Sequence, residues 1–230
     1  MYKSLFIDLD DTLWAFSENA EDTFRLLYDR YAFERFFDTF EQFYDLYRRR
    51  NTELWAEYGD GRITKERLNT ERFAYPLRAV GAEDADLVRR YADDFFALIP
   101  TRSKLMPHAR EALELLASGH RLYLLSNGFR ELQERKMRAA GIYDYFDRIL
   151  LSEDIGVHKP YPEIFHFALS ATQSDLRSSL MIGDSWEADI CGARAVGMAQ
   201  LYYNPARRTD LPFRPTHEIH TWEEIAALDI

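Results

Sequence analysis

Cysteine is almost missing: the 230-residue chain has one, Cys191. A lone thiol cannot close an internal disulfide, so disulfide stapling is excluded and a reducing cytoplasmic setting is expected. No apolar run reaches the roughly 18 residues that suggest a membrane helix. The opening MYKSLFIDLD brings in acid by Asp8, so no secretory leader is expected either. Positive charge is short, with 29 Lys and Arg against 39 Asp and Glu and a formal net charge of −10. That balance argues against nucleic acid or an anionic membrane as a partner. A small anionic ligand stays compatible, because a metal ion or local donors can invert the field at one site. Repeats, low-complexity tracts and flexible linkers are also absent. What is present, 47% hydrophobic and 30% charged residues, is enough for a packed core.

Short apolar runs without alternation stand at 4–7 (SLFI), 121–126 (RLYLLS), 148–152 (RILLS), 179–183 (SLMIG) and 199–203 (AQLYY). Such runs suit strands buried on both faces of a parallel sheet. Helical patterns over 107–118, 129–140, 161–171 and 187–196 separate the later runs. Pro107 suits a first turn, and Gly141 and Gly197 suit terminators. Thr221 and Glu224 have capping-box spacing for a last helix through Leu228. Strand alternating with helix predicts an α/β fold. Residues 15–103 differ: they contain several helical patterns and no strand-like run. A connection this long exceeds any ordinary crossover, so it reads as an inserted α-helical domain. The expected organisation is an α/β core of residues 1–14 and 104–230, with a helical cap over 15–103.

Four segments carry candidate chemistry. Asp8 and Asp10, two apart at the end of the first run, leave the chain on one side, followed by Thr12. Ser126-Asn127-Gly128 ends the second run, with a hydroxyl and backbone N–H groups at a helix start. Lys159 precedes Pro160 in SEDIGVHKPYPEIF. Gly183-Asp184 ends a fourth run, with Asp189 five residues on. Each has a plainer reading alone: a solvated Asp-rich turn, an N-cap, a surface lysine, and a helix-dipole acid. Together they supply what phosphoryl transfer needs, namely a nucleophile, an acid/base, a hydroxyl donor, a lysine and metal-binding carboxylates.

In this order the four segments resemble the haloacid dehalogenase (HAD) superfamily, specifically its phosphatases with a helical cap after the first motif. The resemblance implies a Rossmann-like parallel core and residue-by-residue roles. Asp8 would be the nucleophile and Asp10 the general acid/base. Ser126 and the backbone N–H of Asn127 would hold one phosphate oxygen, and Lys159 another. Mg2+ would sit on the Asp8 and Asp184 carboxylates and the Asp10 main-chain carbonyl. Asp189 would act from behind these ligands, and Thr12 would orient the first loop.

The superfamily also contains dehalogenases, but these lack a second aspartate in the first motif, which Asp10 supplies here. Phosphomutases share all four motifs and stay open, as does a non-catalytic binding module. SEDIGVHKPYPEIFHFAL, GDSWEADICGARAVGM and LYYNP resemble the pyrimidine 5′-nucleotidase branch. That implies nucleoside monophosphates as substrates, with sugar phosphates or phosphoglycolate-like metabolites as the alternative. Aromatic residues crowd the stretch from Trp14 to Tyr58, mostly at helical spacing. Trp14 and Phe16, at the core–cap junction, are the candidates for lining a pocket. A monomer or weak homodimer is expected.

Overall fold

The computed structural model describes residues 1–230, and its contacts divide the chain into two compact units. Unit one comprises Met1–Phe16 and Ser103–Ile230, and unit two is Ser17–Arg102.

Unit one is built on six parallel strands: β1 (Ser4–Ile7), β2 (Arg121–Ser126), β3 (Arg148–Leu151), β4 (Ser179–Gly183), β5 (Ala199–Tyr203) and β6 (His217–Ile219). Their order is β3-β2-β1-β4-β5-β6. β1 is the switch point, since the chain winds toward β2 and β3 on one side and toward β4, β5 and β6 on the other. Ligands of open parallel sheets bind outside the carboxyl ends at such a point. Ile7 pairs with Leu124 and Ile182, so Asp8, Ser126 and Asp184 emerge from three adjacent strands at one edge. The apolar runs are strands because both sheet faces are covered. Phe6, Tyr123, Leu125 and Met181 pack with Ile164 and Phe165 in one buried cluster.

Unit two carries four helices, α1 (Phe16–Arg30, starting one residue before the unit boundary), α2 (Phe40–Gly59), α3 (Lys65–Ala79) and α4 (Ala85–Leu98). Thr39, Thr64 and Asp84 cap the last three through side-chain oxygens. Phe24 lies at the centre, its ring 4.2 Å from Tyr47 and 4.5 Å from Phe95. The helically spaced aromatics are therefore core, worth about 0.5–1.5 kcal/mol per ring pair beyond the area they bury.

Unit one adds α5 (Ala109–Ala117), α6 (Arg130–Ala139), α7 (Pro162–Thr172) and α8 (Gly192–Ala195). Three local expectations need correction, and one strand was not anticipated. Pro107 lies outside α5, because His108 precedes the helix in a left-handed conformation at φ 61°. Residues 187–196 do not form one α-helix: Trp186–Cys191 is a wide π-helical turn that runs into α8. The C-terminal segment is a 3₁₀ helix, Trp222–Ala227, and Thr221 does not cap it. Glu224 instead accepts from the His220 N–H at 3.1 Å. The strand β6 has no counterpart among the apolar runs, because two of its three residues are polar.

No helix is long and apolar enough to cross a membrane.

Candidate active site

The chain turns sharply after β1. Asp11 takes a left-handed φ of 58°, a conformation that Asp tolerates better than most residues. The Trp222 indole donates to the Thr12 carbonyl at 2.9 Å, tying this loop to the C-terminal segment. The Thr12 hydroxyl donates to Asp184 at 2.7 Å and accepts from the Asp184 N–H at 3.1 Å. Thr12 thus locks the first loop onto the end of β4.

Lys159 enters from the segment before α7 with its side chain fully buried. Its Nζ donates to Asp8 Oδ1 at 2.7 Å, Asp189 Oδ1 at 2.6 Å and the Leu125 carbonyl at 2.7 Å. All three N–H bonds are committed, so Lys159 is the charge partner of two carboxylates. Contact with a phosphate oxygen requires exchanging one of these bonds. The Asn127 side chain positions the lysine: its carboxamide donates to the Lys159 carbonyl and accepts from the Lys159 N–H, at 2.9 and 2.8 Å.

The π-helical turn has a visible purpose. It brings Asp189, wholly buried, back against β4, where Asp189 accepts from the Ser185 N–H at 3.1 Å. A Cβ at Gly183 would fall 2.1 Å from an Asp189 carboxylate oxygen, so glycine is required there for close approach.

Ser126 Oγ accepts from the Gly128 N–H at 3.1 Å and from Gln133 Nε2 at 2.8 Å. With two acceptor positions filled, the hydroxyl proton is left to donate to a ligand oxygen. Of the amides at the start of α6, that of Arg130 is engaged by Glu153 at 2.8 Å. Trp14 has no exposed surface; it reaches the site through Lys136, whose ammonium lies 4.6 Å from the indole centroid, rather than by lining open space. Phe16 keeps a partly exposed ring beside the same ammonium, at 5.2 Å.

Asp8, Asp184 and Asp189 form an acidic cluster with one oxygen from each within 4.8 Å of the others. Burial pushes the Asp8 carboxyl up to about 7; Lys159 opposes this, while Asp189 and Asp10 add to it. Burial also raises Asp184 well above the carboxylate range, and Asp8 and Asp189 reinforce the shift. Burial alone would lower Lys159, but the Asp189 and Asp8 carboxylates overcome it, and the lysine stays charged. One ammonium faces three crowded carboxyl groups, Asp8 and Asp189 buried and Asp184 half-buried, in a nest of hard oxygen donors. That donor set fits Mg2+, which takes one or two carboxylates and keeps several waters.

Two further residues escaped the sequence reading. Gln133 and Lys136 of α6 are buried and hold the Asp10 carboxylate, Gln133 Nε2 on Oδ2 at 2.9 Å and Lys136 Nζ on Oδ1 at 2.8 Å. The signal was present in the pattern: both share one helical face with Phe129, Met137 and Ala140, so the inward stripe carries polar residues.

Sheet order and the placement of the acids at the switch point describe a Rossmann-like α/β core with its candidate site at the carboxyl edge. The chain belongs to the haloacid dehalogenase-like hydrolase family, whose model matches residues 2–197. It is similar to the HAD-hydrolase YfnB of Bacillus subtilis (strain 168), 29% identical over 97% of this chain and 94% of that protein. A crystal structure of YfnB, bound to magnesium and revealing interdomain movement, matches with a TM-score of 0.87 over 98% of this chain and 97% of that one. The pyrimidine 5′-nucleotidase YjjG of Escherichia coli (strain K12) is 30% identical over 97% of this chain and 96% of its own length. The ribulose-1,5-bisphosphate 5-phosphatase of Halopiger xanaduensis is 28% identical, covering 91% of this chain and 88% of its own.

Proposed function

We propose that this protein is a Mg2+-dependent phosphomonoester hydrolase that works through an aspartyl-phosphate on Asp8, with pyrimidine nucleoside 5′-monophosphates as its substrates. One observation carries the reading: a buried lysine bridges Asp8 to Asp189 beside a third acid, at the carboxyl edge of three adjacent strands. The Asp8 and Asp184 carboxylates, with the Asp10 carbonyl, would hold Mg2+, which when bound offsets the negative charge of the ester and of the cluster.

Lys159 opposes the protonation that burial favours on Asp8 and fixes one of its oxygens. Asp8 attacks phosphorus, the bond to the leaving oxygen breaks, and Asp10 gives that oxygen its proton. Ser126 donates its hydroxyl proton to a non-reacting phosphate oxygen. Asp10 then takes a proton from water, which attacks phosphorus, releases inorganic phosphate and restores Asp8. The helical unit spliced in after β1 acts as the substrate-recognising cap.

The nucleotide assignment rests on the peptides around Lys159 and Asp184 and on the similarity to YjjG. A phosphate-release screen over UMP, dUMP, dTMP and sugar phosphates, with and without EDTA, tests it. EDTA-sensitive release that favours the nucleotides is expected. Preference for a sugar phosphate moves the substrate class while leaving the chemistry in place. Release from no ester removes the enzymatic reading.

A pH-dependent metal effect follows from the raised Asp8 carboxyl. A buried acid whose folded pKa is raised to about 7 stabilises the metal-free protein when protonated, and that contribution is lost as pH climbs to about 7. A cation needs the ionised form, so below about 7 its binding must expel a proton. Saturating Mg2+ is therefore expected to raise Tm by an amount that grows steadily from about pH 5 to about pH 8. At a 100-fold excess over Kd the gain at the upper end is about 2–3 kcal/mol. Differential scanning fluorimetry at the two pH values measures it.

A further inference from the structure

Asp10 is held by two side chains to which the reaction scheme gives no part. Lys136 Nζ lies 2.8 Å from Oδ1, and Gln133 Nε2 lies 2.9 Å from Oδ2. The same Gln133 nitrogen donates to Ser126 Oγ at 2.8 Å, so one amide joins the carboxyl of Asp10 to the hydroxyl proposed to bind the phosphate. The ammonium of Lys136 also stands over the rings of Trp14 and Phe16, at 4.6 and 5.2 Å.

This arrangement is expensive for stability. Lys136 is a buried cation, and Gln133 Oε1 is buried with no hydrogen-bond partner. An unsatisfied buried acceptor costs about 1–3 kcal/mol, and desolvating a cation is repaid only by good pairing. Neither residue is the choice a fold would make for packing alone. What the pair achieves is placement, since donors on both oxygens fix the plane and direction of the Asp10 carboxyl.

We propose that Gln133 and Lys136 are positioning residues for the proton transfer carried out by Asp10. For transfer, one Asp10 oxygen exchanges its protein donor for the oxygen of the leaving group, while the other keeps the aim of the carboxyl. Gln133 sets the distance between that carboxyl and the Ser126 hydroxyl, and hence between the leaving oxygen and a non-reacting phosphate oxygen. Gly128 belongs to the device, because a Cβ there would lie 2.3 Å from Gln133 Nε2 and displace the amide. The inference rests on Asp10 being the proton donor.

The test uses two esters that differ by one methylene, 4-nitrophenyl phosphate and 4-nitrobenzyl phosphate. The first leaves as a weakly basic phenoxide that needs little protonation, and the second as a basic alkoxide that needs it fully. The ratio of their kcat/KM values is measured on the Mg2+-loaded full chain for wild type, Asp10→Asn, Lys136→Met, Gln133→Met and Gly128→Ala, with Tm recorded for each. Asp10→Asn is expected to cut kcat/KM for the nitrobenzyl ester by about 10²–10⁴-fold, with a far smaller loss for the nitrophenyl ester. Lys136→Met, Gln133→Met and Gly128→Ala are expected to shift the ratio the same way by about tenfold or more. A structural role alone would lower both esters together. If Asp10→Asn shifts the ratio and the other three do not, the positioning role is overturned and the reaction scheme stands. If Asp10→Asn leaves the ratio unchanged, the reading of Asp10 as proton donor fails and takes the positioning role with it. Gly128→Ala reaches the amide from the backbone side, so the test holds even where Lys136→Met fails to fold.

Discussion

Asn in place of Asp8 is expected to remove at least about 10⁴-fold of turnover while leaving a folded protein, because a carboxamide cannot serve as the covalent nucleophile. The stability side of this substitution is equally specific. Asp8 is one of three crowded acids, and its carboxyl is already pushed up to about 7 by burial. Neutralising it removes repulsion against Asp189 and Asp184, while Lys159 keeps Asp189 as partner at 2.6 Å. The metal-free Asp8→Asn protein should therefore unfold at or above the wild-type Tm near neutral pH. Its response to Mg2+ should shrink, since one of the two proposed carboxylate ligands is gone. Near-wild-type turnover in pure Asp8→Asn protein contradicts the nucleophile assignment, and a collapsed fold contradicts the electrostatic account.

Met in place of Lys159 has the opposite stability sign. It removes the only cation bonded to Asp8 and Asp189, and breaking a buried pair from one side costs about 3–5 kcal/mol. At about 2–4 °C per kcal/mol for a chain of this size, Tm should fall by roughly 10 °C. Turnover should drop by about 10²–10³-fold or more, because the charge that opposes protonation of Asp8 is lost along with its orientation. Adding Asp189→Asn to Lys159→Met should recover much of the Tm and none of the turnover, since contacting residues are not additive. That split separates the fold's need for charge balance from the reaction's need for the lysine. Arg is no substitute here: a planar fork cannot reproduce three donors spread around one nitrogen. Thermal melts and steady-state rates on the three proteins check both parts.

Much of the sheet was legible because parallel strands buried on both faces read as apolar runs, and five of six were found this way. β6 was not, since His217 and Glu218 carry no such signal in so short a strand. Asp8, Ser126, Lys159 and Asp184 could be read because each ends a strand or precedes a helix, where side chains seldom serve packing. Asp189 was read as acting from behind the cluster, and its route inward depends on a π-helical turn that a 3.6-residue period does not encode. Thr221 and Glu224 matched a capping pattern, yet Glu224 serves the His220 N–H instead. Gln133 and Lys136 were missed for a related reason. α6 reads RELQERKMRA, so charge dominates the window, and the sparse stripe of Phe129, Met137 and Ala140 is the one sign that these two residues face inward. Only the loop they pack against reveals their use, and that loop lies more than 120 residues away in sequence.

Mass spectrometry of the protein quenched in acid during turnover addresses the covalent step itself. With a phosphate ester and Mg2+ present, and Asp10→Asn used to slow release, a phosphoryl group is expected on the peptide containing Asp8. That mass should vanish with EDTA and in the Asp8→Asn protein. A phosphoryl group on any other residue, or turnover through quenched samples that never carry one, contradicts the account.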